Sequence, residues 1–161
     1  MTVRGLRSAD WQEVARIYAE GIRTGNATFE TEVPSWAAWD DSHLPEHRLV
    51  AERDGQVVGW IALAPVSRRP CYAGVAETSV YVAERARGDG VGSELLAALV
   101  DSAERGGIWT LQTSVFPDNE ASLALLRRFG FRTVGTRERI AQLHGVWRDT
   151  LLVERRSEVV R

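Results

Sequence analysis

Apolar residues alternate with polar ones, or form short continuous runs, in seven segments of the chain, and both patterns are typical of β-strands. The segments are residues 2–7, 49–53, 56–64, 75–82, 108–115, 131–140 and 145–153. Asp54-Gly55 separates the second segment from the third and predicts a tight hairpin turn between them. The pattern therefore predicts a sheet of about seven strands.

Four further segments carry apolar residues at the spacing of amphipathic helices. They lie between Ser8 and Gly25, after Pro34, over residues 91–105 and over residues 119–129. The chain has no internal repeat or linker, so we expect one mixed α/β domain over residues 1–161. The charged residues at its C-terminal end, 154–161, are expected to fray.

The 161 residues include twenty arginines and no lysine, and the formal charge is −2. Without lysine the protein can form neither a lysine Schiff base nor a Walker phosphate loop. Cys71 has no second cysteine to pair with, so no disulfide is expected. The histidines do not form a ligand pattern, so no metal is expected either. They are His43, His47 and His144.

The same composition bears on location and partners. No stretch approaches the roughly 20 apolar residues that cross a bilayer, and the polar N-terminus has no signal-peptide core. The arginines are mixed with acidic residues along the chain, which disfavours nucleic-acid binding. An unpaired cysteine is typical of a reducing compartment. We therefore expect a cytoplasmic protein with neither a membrane nor a nucleic-acid partner.

The candidate chemistry begins after the strand over residues 75–82, where a glycine-rich loop leads into a helix. Glycine lets backbone N–H groups approach a ligand, a helix N-terminus carries about half a positive charge, and an arginine adds a planar donor. A phosphate would fit this loop, although a simple strand-to-helix turn has the same pattern. The dinucleotide fingerprint is excluded, because Ser93 or Leu95 stands where its third glycine is required. The loop consists of Arg87, Gly88, Asp89, Gly90, Val91 and Gly92.

Arg87, Gly90 and Gly92 match the signature Gln/Arg-x-x-Gly-x-Gly/Ala, through which the chain resembles the GNAT superfamily of acyl-CoA-dependent N-acetyltransferases. A second landmark of that superfamily follows at Asn119, which leads a helix that ends in Gly-Phe at residues 130–131. The resemblance implies the GNAT fold, with a mixed, mostly antiparallel central sheet of about seven strands flanked by about four helices.

Residues 27–30, 77–82 and 145–149 are similar to the phosphinothricin and methionine sulfoximine acetyltransferase group. This similarity implies acetyl-CoA as cosubstrate, a small-molecule amine as acceptor, no metal, and a homodimer. Backbone amides of the strand end and of the glycine-rich loop would hold pantetheine and pyrophosphate, Asn119 would help to fix the cofactor, and Ser93 would add a hydroxyl contact. The strand residues concerned are Val80, Tyr81 and Val82.

Glu77 is the candidate catalytic base, because an amine must lose a proton before it attacks a thioester and burial in an apolar strand raises a carboxyl pKa. A surface or salt-bridged glutamate would fit the sequence as well. The family's general acid is a tyrosine or a histidine seven residues after the helix-leading asparagine, and Leu126 stands there instead. Tyr81 is an alternative proton donor, with a packed core tyrosine as the competing interpretation.

The acceptor site needs a group that binds an anion. Arg68 and Arg69, with Tyr72, lie in the loop just before the candidate base, and an arginine fork binds carboxylate or phosphinate with two donors. A solvated turn would have the same composition. The family resemblance adds Phe29 and Glu30 as another wall of the site.

The sequence therefore favours an acetyl-CoA-dependent transferase that acetylates the α-amine of a small amino acid analogue by direct attack on the thioester. Phosphinothricin, methionine sulfoximine and methionine sulfone are the acceptors that the resemblance implies. Another amine, such as a protein N-terminus or a polyamine, is one alternative. A non-catalytic acyl-CoA-binding sensor is the other, and Leu126 is the residue that supports it.

Overall fold

The computed structural model describes residues 1–161, and its strands form one seven-stranded sheet in the order β1-β2-β3-β4-β5-β7-β6. The strands are β1 Thr2–Gly5, β2 Leu49–Arg53, β3 Gln56–Pro65, β4 Val75–Val82, β5 Thr110–Val115, β6 Arg132–Leu143 and β7 Val146–Arg156. The helices are α1 Trp11–Arg23, α2 Trp36–Ser42, α3 Val91–Arg105 and α4 Glu120–Arg128. The predicted fold class is confirmed. None of these helices is long and apolar enough to cross a membrane.

Two hairpins have the turn geometry that matches strand twist. Asp54 and Gly55 have φ values of 53° and 76°, which is the type I′ pattern and confirms the predicted turn between β2 and β3. His144 and Gly145, with φ of 50° and 79°, form the same kind of turn between β6 and β7. Strand β6 therefore continues to Leu143, beyond the predicted end at residue 140.

The C-terminal end differs from the prediction. Strand β7 continues to Arg156, and Ser157 is buried, so the expected fraying from residue 154 is wrong for residues 154–157. The Ser157 N–H donates to the Trp109 carbonyl at 2.8 Å, and its hydroxyl donates to Glu104 Oε1 at 2.9 Å. Glu104 also pairs with Arg155 at 3.0 Å. These polar contacts tie the charged end of the chain to α3 and β5.

Helices α1 and α3 cover opposite faces of the sheet. Trp60 of β3 and Tyr81 of β4 lie opposite each other with stacked rings 4.9 Å apart, and Tyr18 of α1 lies 4.8 Å from Tyr81. Successive strand residues point to opposite faces, and Gly59 accordingly faces α3, where an added Cβ would lie 2.9 Å from Leu95. The core therefore has an aromatic layer on one face and an aliphatic layer on the other.

Strands β4 and β5 are the one parallel pair, and they are joined over a short distance. Residues Val75–Glu77 pair with Thr110–Gln112, and no pairing between the two strands follows. From residue 78 onward β4 pairs with β3 alone, so the strands part in front of the N-terminus of α3. This gap in the middle of the sheet positions the site described below.

Candidate active site

A groove of about 550 Å³ runs along the end of β4, the glycine-rich loop and the adjacent faces of α3 and α4. Ten of the eleven residues predicted to bind the cofactor line it. The exception is Asp89, whose carboxylate turns away to pair with Arg53 at 2.9 Å. The ten are Val80, Tyr81, Val82, Arg87, Gly88, Gly90, Val91, Gly92, Ser93 and Asn119.

The loop presents backbone donors to this groove. Gly88 and Gly90 have φ of 81° and 84°, in the left-handed region that glycine adopts without strain. The Glu94 N–H is the first of α3 with an acceptor in its own helix, the Gly90 carbonyl at 3.1 Å, so the three preceding N–H groups remain available. A Cβ added to Gly92 would lie 3.0 Å from Leu125. The cradle therefore suits an anion that approaches the backbone closely.

Two guanidinium groups flank the cradle, and the sequence pointed to one of them. Arg87 Nε donates to the Val82 carbonyl at 3.4 Å. Arg128 of α4 lines the groove and donates to Ser93 Oγ at 3.2 Å. Arg128 was not predicted, although it lies in the helix that carries the second GNAT landmark. Both cations favour a phosphate-bearing ligand.

A second cavity, of about 230 Å³, opens on the other side of the gap between β4 and β5. Its lining includes Glu77, the candidate base, and Phe29, one of the candidate acceptor-site residues. The groove and the cavity share five lining residues, so they are continuous through the gap. These five are Ala27, Val80, Tyr81, Asn119 and Ser122.

The other predicted acceptor residues line neither space. Arg68, Arg69 and Tyr72 are exposed on the loop before β4, where the Arg69 guanidinium lies 5.6 Å from the Tyr72 ring. Glu30 is exposed and also lines neither space. Burial raises the pKa of Tyr18 to about 12, and the charge of Glu30 adds to this rise. The structure thus brings Glu77 together with Phe29 and leaves the predicted arginines outside.

Glu77 stands at the mouth of the cavity with its side chain accessible. Loss of hydration against the cavity wall raises the pKa of its carboxyl, and the charge of Arg137 on β6 opposes this rise. A carboxylate with a raised pKa is a better proton acceptor than an ordinary surface glutamate.

The position of the family's general acid is apolar. Leu126 is 2% exposed and forms part of the cavity wall. Near it, Thr78 is buried and its hydroxyl has no hydrogen-bond partner in the protein, a feature that points to a polar ligand or water. Burial raises the pKa of Tyr81, and its ring is held between Tyr18 and Trp60.

One wall of the cavity is the loop between α1 and α2, which is held from three sides. Arg148 of β7 donates to the Gly25 carbonyl at 3.1 Å and to Asn26 Oδ1 at 3.4 Å. Asn119 Nδ2 donates to the Asn26 carbonyl at 3.1 Å. Phe29 then packs edge-on against Phe116, with ring centroids 5.0 Å apart.

Asn119 has a second task at the start of α4, where its Oδ1 accepts from the Ser122 N–H at 3.3 Å. Both ends of its side-chain amide are therefore engaged within the protein.

The structure brings together no group of three or more His, Cys, Asp or Glu side chains that could hold a metal ion.

Known proteins share this arrangement. A phosphinothricin N-acetyltransferase from Alcaligenes faecalis is 37% identical over 163 residues, which cover 96% of this chain and 81% of that protein. The crystal structure of a ribosomal-protein-alanine N-acetyltransferase from Brucella melitensis superposes with a TM-score of 0.88 at 31% identity. The superposition covers 98% of this chain and 100% of that one. A phosphinothricin acetyltransferase from Sinorhizobium meliloti was solved in complex with acetyl-CoA, and it superposes with a TM-score of 0.86 at 29% identity. The superposition covers 96% of this chain and 87% of that one.

The sequence model of the acetyltransferase (GNAT) family matches residues 11–131. That span contains the glycine cradle, the β4–β5 gap and the helix that Asn119 caps. Motif, fold and similarity over most of the chain agree, and the chain therefore belongs to the acetyltransferase (GNAT) family.

Proposed function

We propose that the protein transfers the acetyl group of acetyl-CoA to the α-amine of a small amino acid analogue of the phosphinothricin or methionine sulfoximine type. The junction of groove and cavity at the end of β4 carries this proposal. A thioester in the groove would lie beside Val80 and Tyr81, within reach of an amine in the cavity. The backbone cradle and the arginines Arg87 and Arg128 would bind the phosphates of the cosubstrate.

Acetyl transfer by direct attack removes two protons from the ammonium nitrogen of the acceptor. Glu77 would accept the first proton, after which the amine nitrogen bonds to the thioester carbonyl carbon. The carbon–sulfur bond then breaks, the electron pair leaves with sulfur as the CoA thiolate, and the nitrogen gives up its second proton. General-base catalysis of this kind contributes about 10²- to 10⁴-fold in rate.

The leaving group would depart without a strong acid from the protein. Thiols have a pKa of about 8.5, so a thiolate is a tolerable leaving group at neutral pH. Leu126 offers no proton, and the stacked ring of Tyr81 makes that residue a wall of the site. Water in the continuous groove would carry the second proton of the amine nitrogen to the thiolate.

The size and charge of the cavity favour an acceptor as large as one amino acid. Its lining contains a single carboxylate, that of Glu77, which gives a polyamine one ionic partner. A protein N-terminus would place its first residue there. The Brucella relative, by its name, acts on such a protein substrate, so a peptide belongs in the acceptor panel.

Thiol release from acetyl-CoA tests the proposal directly. We expect turnover with phosphinothricin, methionine sulfoximine or methionine sulfone, and little with spermidine or with a peptide that begins with alanine. Preferred turnover of the peptide or of spermidine would contradict the acceptor class. Tight acetyl-CoA binding without thiol release across the panel would identify a sensor.

Glu77→Gln tests the base, with the exposed Glu158→Gln as the matched control. We expect kcat to fall about 10²- to 10⁴-fold in the first variant and to stay unchanged in the second. Full activity of Glu77→Gln across the pH range would refute the assignment.

We propose a homodimer that forms through the β6–β7 hairpin. Ile140, Val146 and Trp147 are 49%, 60% and 56% exposed there, and β6 is an edge strand of the sheet. Exposed apolar side chains on an unpaired edge are typical of protein interfaces. Light scattering should give twice the monomer mass for the wild type and the monomer mass for Trp147→Glu, whereas a monomeric wild type would contradict the proposal.

The cytoplasm is the proposed location. Cys71 is an exposed free thiol, which is typical of proteins in reducing compartments. Cell fractionation should find the protein with soluble cytoplasmic markers, and recovery with secreted proteins would contradict this location.

A further inference from the structure

Arg137 of β6 lies on the face of the sheet that carries the acceptor cavity. Arg137 is directly opposite Thr150 of β7, and directly paired residues of antiparallel strands point to the same face. Thr150 is 4% exposed and lines the cavity. The strand register therefore directs Arg137 to the cavity side.

The position of Arg137 is fixed by the strand that carries it. It is the last residue of β6 in register before a bulge, and pairing resumes at Ala141. Within the bulge, Arg139 has φ of 46°, and its N–H donates to Asp149 Oδ1 at 2.8 Å. The chain is thus anchored immediately after Arg137.

The side chain of Arg137 makes no hydrogen bond and no ion pair within the protein. Its neighbours on the hairpin are committed, since Arg132 pairs with Glu154 at 2.7 Å and Arg148 bonds the α1–α2 loop. Arg137 is exposed, and its positive charge lowers the pKa of the Glu77 carboxyl. A free guanidinium so placed can bind an anion of the acceptor.

We propose that Arg137 binds the α-carboxylate of the acceptor while Glu77 receives the proton of its α-ammonium group. This inference rests on the proposed function. An α-amino acid carries an ammonium and a carboxylate on one carbon. Glu77 lines the cavity, and Arg137, which has the opposite charge, is paired with Thr150, another lining residue. Arginine forms the bidentate contact that a carboxylate accepts. Arg68 and Arg69, the arginines favoured by the sequence, are like Arg137 not lining residues of the groove or the cavity. Arg137 is favoured over them because it is paired with Thr150, which lines the cavity.

The test compares acceptors with and without a carboxylate. In Arg137→Gln we expect the KM for methionine sulfone to rise about 10- to 100-fold, since a charged hydrogen-bond pair is lost. The KM for acetyl-CoA should stay within about twofold of the wild-type value. With methionine sulfone amide, whose carboxylate is blocked, wild type and variant should have similar KM values. Arg137→Lys should restore part of the loss, because it keeps the charge without the fork.

A pH profile gives a second readout that a structural role would not move. Around the cavity mouth the charged or titratable groups are Glu77, Arg137, Glu30 and Tyr81, and of these Arg137 is the one whose charge lowers the pKa of Glu77. Arg137→Gln should therefore move the acidic limb of kcat/KM to higher pH. Arg132→Gln, on the same strand but paired with Glu154 and not with a residue that lines the cavity, is the matched control and should change neither KM nor the limb.

The outcomes separate this inference from the proposed function. If the wild type acetylates none of the amino acids, the function fails and the inference fails with it. If the wild type turns over and Arg137→Gln keeps its KM for methionine sulfone, the inference alone is refuted. An equal rise in the KM of Arg137→Gln for methionine sulfone and for its amide would also refute it. A rise in KM for Arg68→Gln or Arg69→Gln, with none for Arg137→Gln, would assign carboxylate binding to the loop before β4.

Discussion

Replacement of Arg148 by methionine isolates the contribution of the α1–α2 loop to acceptor binding. Methionine keeps an apolar stem of similar length but removes the guanidinium that holds residues Gly25 and Asn26. The same group lies 4.0 Å from the Phe116 ring, against which Phe29 packs. The substitution therefore loosens one wall of the cavity from outside the groove.

The magnitude follows from these contacts. The bond to the Gly25 carbonyl at 3.1 Å is a charged hydrogen bond worth about 1.5 kcal/mol, at the low end because the Arg148 side chain is 23% exposed. The contact with the Phe116 ring adds about 0.5–1 kcal/mol. The ion pair between Arg148 and Asp118, whose carboxylate is 3.6 Å away and 73% exposed, contributes no measurable free energy. A total of about 2 kcal/mol corresponds to about a 30-fold change in an equilibrium constant.

Steady-state kinetics and hydrogen exchange check this prediction together. We expect the KM for the acceptor to rise by up to about 30-fold, while the KM for acetyl-CoA changes less, and amides of residues 25–29 should exchange faster. Arg156→Met, on the same strand and far from the cavity, is the control. If Arg148→Met leaves both KM values and the exchange of the loop unchanged, the loop does not depend on this arginine and the reasoning is wrong.

Three further outcomes test the site and the core. Because the pKa of Glu77 is raised and the base must be deprotonated, kcat/KM should fall as the pH drops through a value above the ordinary carboxyl range, and Glu77→Gln should lose this limb. Arg53→Gln should raise the KM for acetyl-CoA about two- to fivefold, since Asp89 then faces the phosphates unpaired, and Asp89→Asn in the same chain should reverse the rise; no reversal would contradict this reason. Leu99→Ala, at a fully buried position of α3, should lower the free energy of unfolding in urea by about 2–5 kcal/mol, and a loss below about 1 kcal/mol would show that the site collapses around the change.

The parts that the sequence predicts well are those that local chemistry determines. The turn at Asp54 and Gly55 requires positive φ at both positions, and the residues themselves carry that preference. The glycine-rich loop combines the same preference with a helix N-terminus, and five of its six residues line the groove. Signals of this kind span a few residues and survive without knowledge of the fold.

The acceptor site depends on strand pairing, which no local pattern specifies. Glu77 and Arg137 are 60 residues apart in sequence. Arg137 is related to the cavity that Glu77 lines only because β4, β5, β7 and β6 pair in that order. Proximity in sequence favoured Arg68 and Arg69, whereas the register of β6 on β7 directs Arg137 to the site. The role of Arg148 could not be predicted from the sequence either, because its partner Asn26 lies in a loop 122 residues away.

The short parallel junction between β4 and β5 has a mechanical consequence. Three residue pairs are all the backbone pairing that connects an antiparallel unit of four strands, β1 to β4, with one of three strands, β5 to β7. The cavity lies across this junction, since its lining residues come from β4 on one side and from β5 and β7 on the other. A molecule bound there would contact both units and hold them together. Its binding free energy would therefore add to the free energy of unfolding of the protein as well as support catalysis.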